Sequence, residues 1–180
     1  VIFSHRSPDG DAIGSSLGMA AYLKQRGKEN VAVVVPDMFP NFLQWMPGAD
    51  FILRYDKKKE EVEKTVSKAD LMFCLDFNDA SRTAEIEPFI TESKAKKVLI
   101  DHHLDPNIDV EIKVSHPEAC STCELVFRII WQLGGFDSMD KDVAVPIYCG
   151  MMTDTGGFTY NSNRPEIFFI ISQLLTKGIN

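Results

Sequence analysis

The sequence predicts an α/β domain: a mostly parallel sheet flanked by helices on both faces. Two observations carry this. Short apolar runs alternate with amphipathic segments over most of the chain, the signature of strands joined by crossover helices. The first apolar run, the helical stripe behind it and the second apolar run make one βαβ unit, whose strands are parallel.

Taken in order, strands are predicted at Val1–Phe3, Val31–Val35, Phe51–Leu53, Leu71–Leu75, Val98–Ile100 and Val110–Val114. Between the first two, Asp11 to Arg26 places Ile13, Leu17, Ala20, Ala21 and Leu23 on a helical stripe that ends at Gly27. Lys57 to Ser67 mixes Lys and Glu around Val62 and Val66 and reads as a solvated helix. The last third is helical: Cys120 to Leu133, stopped by Gly134-Gly135, then Asp140 to Met152 and Pro165 to Leu175.

At 180 residues, 44% hydrophobic and 25% charged, the chain can bury its own core as one domain. Its net charge of -7 argues against a duplex-DNA binder, which needs a broad basic surface, but leaves room for a small anion at a local cationic site. No apolar run reaches the roughly 18 residues of a membrane span, so no membrane partner is expected. Cys74, Cys120, Cys123 and Cys149 lie in apolar or helical surroundings, and the lone C-x-x-C lacks a second ligand pair. Reduced thiols and a cytoplasmic setting follow. The start at Val1-Ile2-Phe3, without Met, predicts a fragment of a longer protein.

In an open parallel sheet, ligands bind beyond the carboxyl ends of the strands. Those positions hold Ser4-His5-Arg6-Ser7-Pro8-Asp9-Gly10-Asp11, then Asp76, then Asp101-His102-His103; Thr153-Asp154-Thr155-Gly156-Gly157 follows the apolar helix. Read singly, each has an ordinary alternative. Pro8-Asp9-Gly10 is a turn, Asp11 a helix N-cap, Asp76 a cap for a helix starting near Ala80, and Ser121 with Thr122 an N-cap pair. Read together, Asp9, Asp11, Asp76 and Asp154 would repel one another unless cations neutralised them. Two divalent ions do so, and oxygen with imidazole donors from His5 and His102 suits Mn²⁺, or Mg²⁺.

His5-x-x-Pro8-Asp9-Gly10-Asp11-Ala12-Ile13-Gly14-Ser15, the lone Asp76, Asp101-His102-His103 and Thr153-Asp154-Thr155-Gly156-Gly157 resemble, in order, the four motifs of DHH phosphoesterases. The Ser121-Thr122-x-Glu124 and Gly157-Phe158-x-Tyr160 segments resemble the bacterial oligoribonuclease (nanoRNase) and pAp-phosphatase branch. The resemblance implies a DHH catalytic domain over residues 1–180, followed in a full protein by a smaller substrate-binding domain. It implies that His5, Asp9 and Asp76 hold one ion and that Asp11, Asp76, His102 and Asp154 hold the other, Asp76 bridging. It makes His103 a catalytic, substrate-facing group, Asp101 the residue that orients a histidine, and Arg82 a phosphate contact. The implied partner is a short single-stranded RNA or a small nucleotide phosphate, with homodimerisation left open. The alternatives are an inorganic pyrophosphatase or exopolyphosphatase, or a noncatalytic module of the same fold.

Overall fold

The computed structural model describes residues 1–180. Six strands, β1 (Ile2–Phe3), β2 (Val33–Val35), β3 (Leu53–Arg54), β4 (Leu71–Leu75), β5 (Lys96–Asp101) and β6 (Ile112–Ser115), form one sheet in the order β3-β2-β1-β4-β5-β6. Every pairing is parallel. The α/β class, with helices on both faces, is as expected.

Alternation along each strand divides the core in two. Ile2, Val33, Val35, Leu75 and Ile100 face one way, while Phe3, Val34, Met72, Cys74 and Leu99 face the other. The first face is covered by α1 (Gly10–Gln25) and α4 (Thr122–Gln132). Helix α5 (Lys141–Asp154) lies over both, and α6 (Pro165–Leu175) packs against α4 and α5. The second face is covered by α2 (Lys59–Val66), which contributes Val62 and Val66, and by the segment after β4, which contributes Ile86 and Ile90. That segment is a 3-10 turn over Ala80–Ile86 running into α3 (Glu87–Thr91).

Several element ends shift by one or two residues from expectation, β2 starting at Val33 and β5 at Lys96 among them, and three of the shifts have a local reason. Phe51 belongs to a 3-10 turn, Ala49–Phe51, entered through left-handed Gly48 (φ 86°), so β3 begins at Leu53. The edge strand β6 starts at Ile112 rather than Val110, set by pairing Val98 with Ile112. Helix α5 runs through Asp154 instead of stopping at Met152, which puts Asp154 in its last turn.

Gly10, Gly14 and Gly18, one helical turn apart on α1, face α5. A Cβ on Gly14 would overlap the Pro146 carbonyl oxygen, one on Gly18 would lie 2.7 Å from Ile147 Cγ1, and one on Gly10 would overlap the Thr153 side chain. A row at this spacing is a helix ridge reduced to backbone, so the two helices approach closely. The start of α1 therefore meets the end of α5, which brings Asp11 toward Asp154.

The strand order reverses between β1 and β4: the chain leaves β1 toward β2 and β3, and leaves β4 toward β5 and β6. Loops diverging at such a point open a crevice beyond the carboxyl ends of the two strands.

Candidate metal centre

His5 follows β1 by two residues, Asp76 directly follows β4, and Asp101 ends β5 with His102 and His103 behind it. Asp76 sits in the left-handed region at φ 66°, which aspartate tolerates better than most residues. Its N–H still donates to the Ile100 carbonyl at 3.1 Å, so the sheet ladder holds the turn that aims the carboxylate.

Asp9, not Asp11, caps α1: one Asp9 oxygen accepts the Asp11 and Ala12 N–H groups, both at 3.0 Å. Asp11 lies in the first turn of the helix, buried at 1% exposure. Its two oxygens accept the N–H groups of Thr122 at 2.6 Å and Cys123 at 2.8 Å, the opening residues of α4. A helix N-terminus stabilises a carboxylate placed there.

Both histidine rings next to the carboxylates have their direction fixed by the backbone. His5 Nδ1 lies 2.8 Å from the Arg6 carbonyl and His102 Nδ1 3.2 Å from the Ala119 carbonyl. With Nδ1–H donating, Nε2 presents a lone pair inward, as a metal-ligating imidazole does. His5 Nε2 is 3.6 Å from Asp76 Oδ2; His102 Nε2 is 3.8, 3.7 and 3.5 Å from Asp11 Oδ2, Asp76 Oδ1 and Asp154 Oδ2. These spacings are too long for hydrogen bonds. They suit donors sharing an ion, because bonds of about 2.1 Å at 90–120° separate ligand atoms by roughly 3.0–3.6 Å.

The donor atoms fall into groups within 4.8 Å of one another: His5 with Asp9 and Asp76, Asp11 with His102 and Asp154, and Asp76 with His102 and His103. Asp76 also reaches the Asp11 group through His102. Six donors, four of them carboxylates, fit divalent cations.

Charge in the bare cluster is unevenly borne. Burial drives the Asp11 carboxyl well above the ordinary carboxylate range, and the Asp76 and Asp154 charges push the same way. Asp154 is raised to about 6, first by burial and further by Asp76 and Asp9, against the pull of His102. Burial would raise Asp76 too, yet His5, His102 and His103 around it bring it below its usual value.

His103 stands apart. Its Nδ1 is 2.7 Å from Oδ1 of the fully buried Asp101, the bond that mainly raises the His103 pKa. The ring is half-buried and borders a groove of about 680 Å³ that also contains His102, Arg82, Asn161, Asn163 and Arg164. The Arg82 guanidinium makes no ion pair in the structure, and its charge is felt at His103.

Two residues go beyond the sequence reading. Ser121 caps α4 through its bond to the Glu124 N–H at 3.1 Å, but Thr122 does not share that task. The Thr122 hydroxyl donates to Asp76 Oδ1 at 2.9 Å, fully buried. Only one residue of a Ser-Thr doublet can be the N-cap, and that was the available signal. Glu124, also fully buried, accepts from Arg164 at 2.6 Å, from Arg128 at 2.6 Å and from the Cys120 N–H at 2.7 Å. This ties α4 to the segment behind Asp154 across 40 residues, and no local pattern announces it. The capping role that was the ordinary alternative for Asp76 belongs to Asp79, which accepts the Ser81 N–H at 2.9 Å. All four cysteines are buried and unbridged.

The chain is 33% identical to the bifunctional oligoribonuclease and PAP phosphatase NrnA of Thermus thermophilus, over 99% of this chain and 50% of that protein. The Mycoplasma pneumoniae protein of the same name is 26% identical over 100% of this chain and 53% of its own length. The chain thus spans about half the length of the curated relatives it matches. Among solved structures, an exopolyphosphatase-related protein from Bacteroides fragilis is 54% identical with a TM-score of 0.97, covering 99% of this chain and 52% of that one. A candidate family II inorganic pyrophosphatase from Methanococcus jannaschii, 15% identical at a TM-score of 0.63, shares the fold. The model of the DHH family N-terminal domain matches residues 1–151, and on that match this chain belongs to the DHH family.

Proposed function

We propose that this chain carries the dinuclear metal centre of a phosphoesterase acting on short oligoribonucleotides and pAp-type nucleotides, with Mn²⁺ as the resident ion. The observation that carries the reading is Asp76. Its carboxylate stands between His5 on one side and His102 on the other, with Asp9 completing one donor group and Asp11 and Asp154 the second. His5, Asp9 and Asp76 would hold one ion; Asp11, Asp76, His102 and Asp154 would hold the other. When bound, such a pair neutralises the carboxylates, activates water and stabilises the charge of phosphoryl transfer.

The remaining residues orient the substrate. Asp101 fixes the His103 ring through Nδ1, which leaves Nε2 to donate to a phosphate oxygen, and the raised pKa favours the protonated ring. Arg82, free of any carboxylate partner, offers a planar fork matched to phosphate oxygens. The relatives named oligoribonuclease and PAP phosphatase support short nucleotides as the substrate class. The assignment concerns the metal-carrying half, since those relatives are about twice as long.

The test is turnover by purified protein with Mn²⁺ on pApA, pAp and pyrophosphate. Release of mononucleotide from pApA and phosphate from pAp is expected, with EDTA abolishing both. Turnover of pyrophosphate alone would transfer the chain to the pyrophosphatase reading, and turnover of none by the full-length protein would remove the enzyme reading.

A further inference from the structure

Six arginines are present, and their partners sort them. Arg54 pairs with Asp56, and Arg128 and Arg164 pair with Glu124. Arg26 forms the C-cap of α1, where a cation is favourable. Arg6 and Arg82 remain, and the fold sets them side by side: the Arg6 N–H donates to the Arg82 carbonyl at 2.9 Å. Neither guanidinium has an ion pair, in a chain whose 26 acidic residues outnumber its 19 Lys and Arg.

Both arginines line a pocket of about 480 Å³ whose other walls are His5, Ser7 and Ser81. It has no carboxylate and no apolar residue in its lining. The nearby acids are held by the serines of the lining rather than by the arginines: Asp37 accepts from the Ser7 N–H at 2.5 Å, and Asp79 accepts from Ser81 Oγ at 2.6 Å and from Asn107. Two like charges lining one pocket repel one another, and an anion between them removes the repulsion. Arg82 also borders the groove containing His103, so the pocket and the groove meet at its side chain.

We propose that Arg6 and Arg82 bind a second, non-reacting phosphate of the substrate, on the His5 side of the metal centre. This rests on the phosphoesterase reading and sharpens it. The favoured substrate carries two phosphate groups, one at the ions and one in the arginine pocket, as pAp and pApA do. Arg6 becomes a specificity residue for that second group.

The experiment compares kcat/KM for pApA and ApA, which share one phosphodiester and differ by one phosphate, in wild type, Arg6→Ala and Arg6→Lys. A charged hydrogen-bond pair predicts that Arg6→Ala lowers the pApA-to-ApA ratio by about ten- to a hundredfold, through KM. Arg6→Lys keeps the charge but loses the fork, so its ratio falls between the two. Equal loss on both substrates, or an unchanged ratio, overturns the proposal. If wild type cleaves neither, the phosphoesterase reading has failed separately, and equilibrium binding of pAp against 3′-AMP then reads the same ratio. Equal affinity of wild type for those two ligands would sink the pocket assignment.

Discussion

At the residue scale, the cluster depends on side chains that touch the donors as much as on the donors themselves. Thr122 is the sharpest case, because its hydroxyl holds one oxygen of the carboxylate proposed to bridge the two ions. Thr122→Val keeps the shape and removes that bond. Loss of such a supporting contact lowers metal affinity by about 10–100-fold. Thr122→Ser keeps the hydroxyl and should bind Mn²⁺ within a few-fold of wild type. Equal Mn²⁺ affinity for the two variants, by titration, would show that the hydroxyl does not position Asp76. The six candidate donors were legible because aspartate and histidine past strand ends are conspicuous and their summed charge demands cations. Thr122 was not, because a threonine at a helix start has an ordinary capping role, and only the fold shows Ser121 already filling it.

At the element scale, the glycine row on α1 sets how near α5 can come, and with it where Asp154 stands relative to Asp11. Gly14→Ala puts a methyl group against the Pro146 carbonyl and 3.1 Å from Cys123 Sγ. Overpacking of this kind costs about 1–3 kcal/mol. A lower urea midpoint together with weaker Mn²⁺ binding is expected; lost stability with unchanged metal affinity would separate helix packing from the site. The strands and the five longer helices were readable from period and punctuation, and α6 begins and ends where Pro165 and Leu175 predicted. The segment over Ala80–Ile86 and α3 was harder. Its 3-10 course is interrupted at Ala84 (φ 53°, ψ -122°), so it has no helical period to read. The closeness of α1 and α5 was written in the four-residue glycine spacing, but such a row acquires meaning only once a partner helix is known.

At the scale of the whole molecule, the carboxylate cluster couples stability to pH and metal. Without metal, Asp154, raised from 3.8 to about 6, keeps a proton that the unfolded chain has released. Asp11 acts in the same direction. More protons bound in the folded state mean that stability falls as pH rises through this interval. His5 and His103, raised above 6.5, extend the loss upward, while the lowered Asp76 acts only below 3.8. The metal-free Tm should therefore fall between pH 4 and about 7, whereas the gain on adding Mn²⁺ should grow with pH, because protons compete with the ion. A flat metal-free profile would contradict the electrostatic account. No helix is long and apolar enough to cross a membrane. The sheet order was beyond the sequence: periodicity identifies strands, but not which neighbours they choose, and the reversal between β1 and β4 that opens the crevice follows from that choice. The central claim, that six residues hold two ions with Asp76 shared, is tested most directly by counting metal. Protein equilibrated with Mn²⁺ and desalted should carry two ions per chain, and Asp76→Ala, if folded by circular dichroism, fewer than one; two ions retained in that variant, or a single ion in wild type, would contradict it.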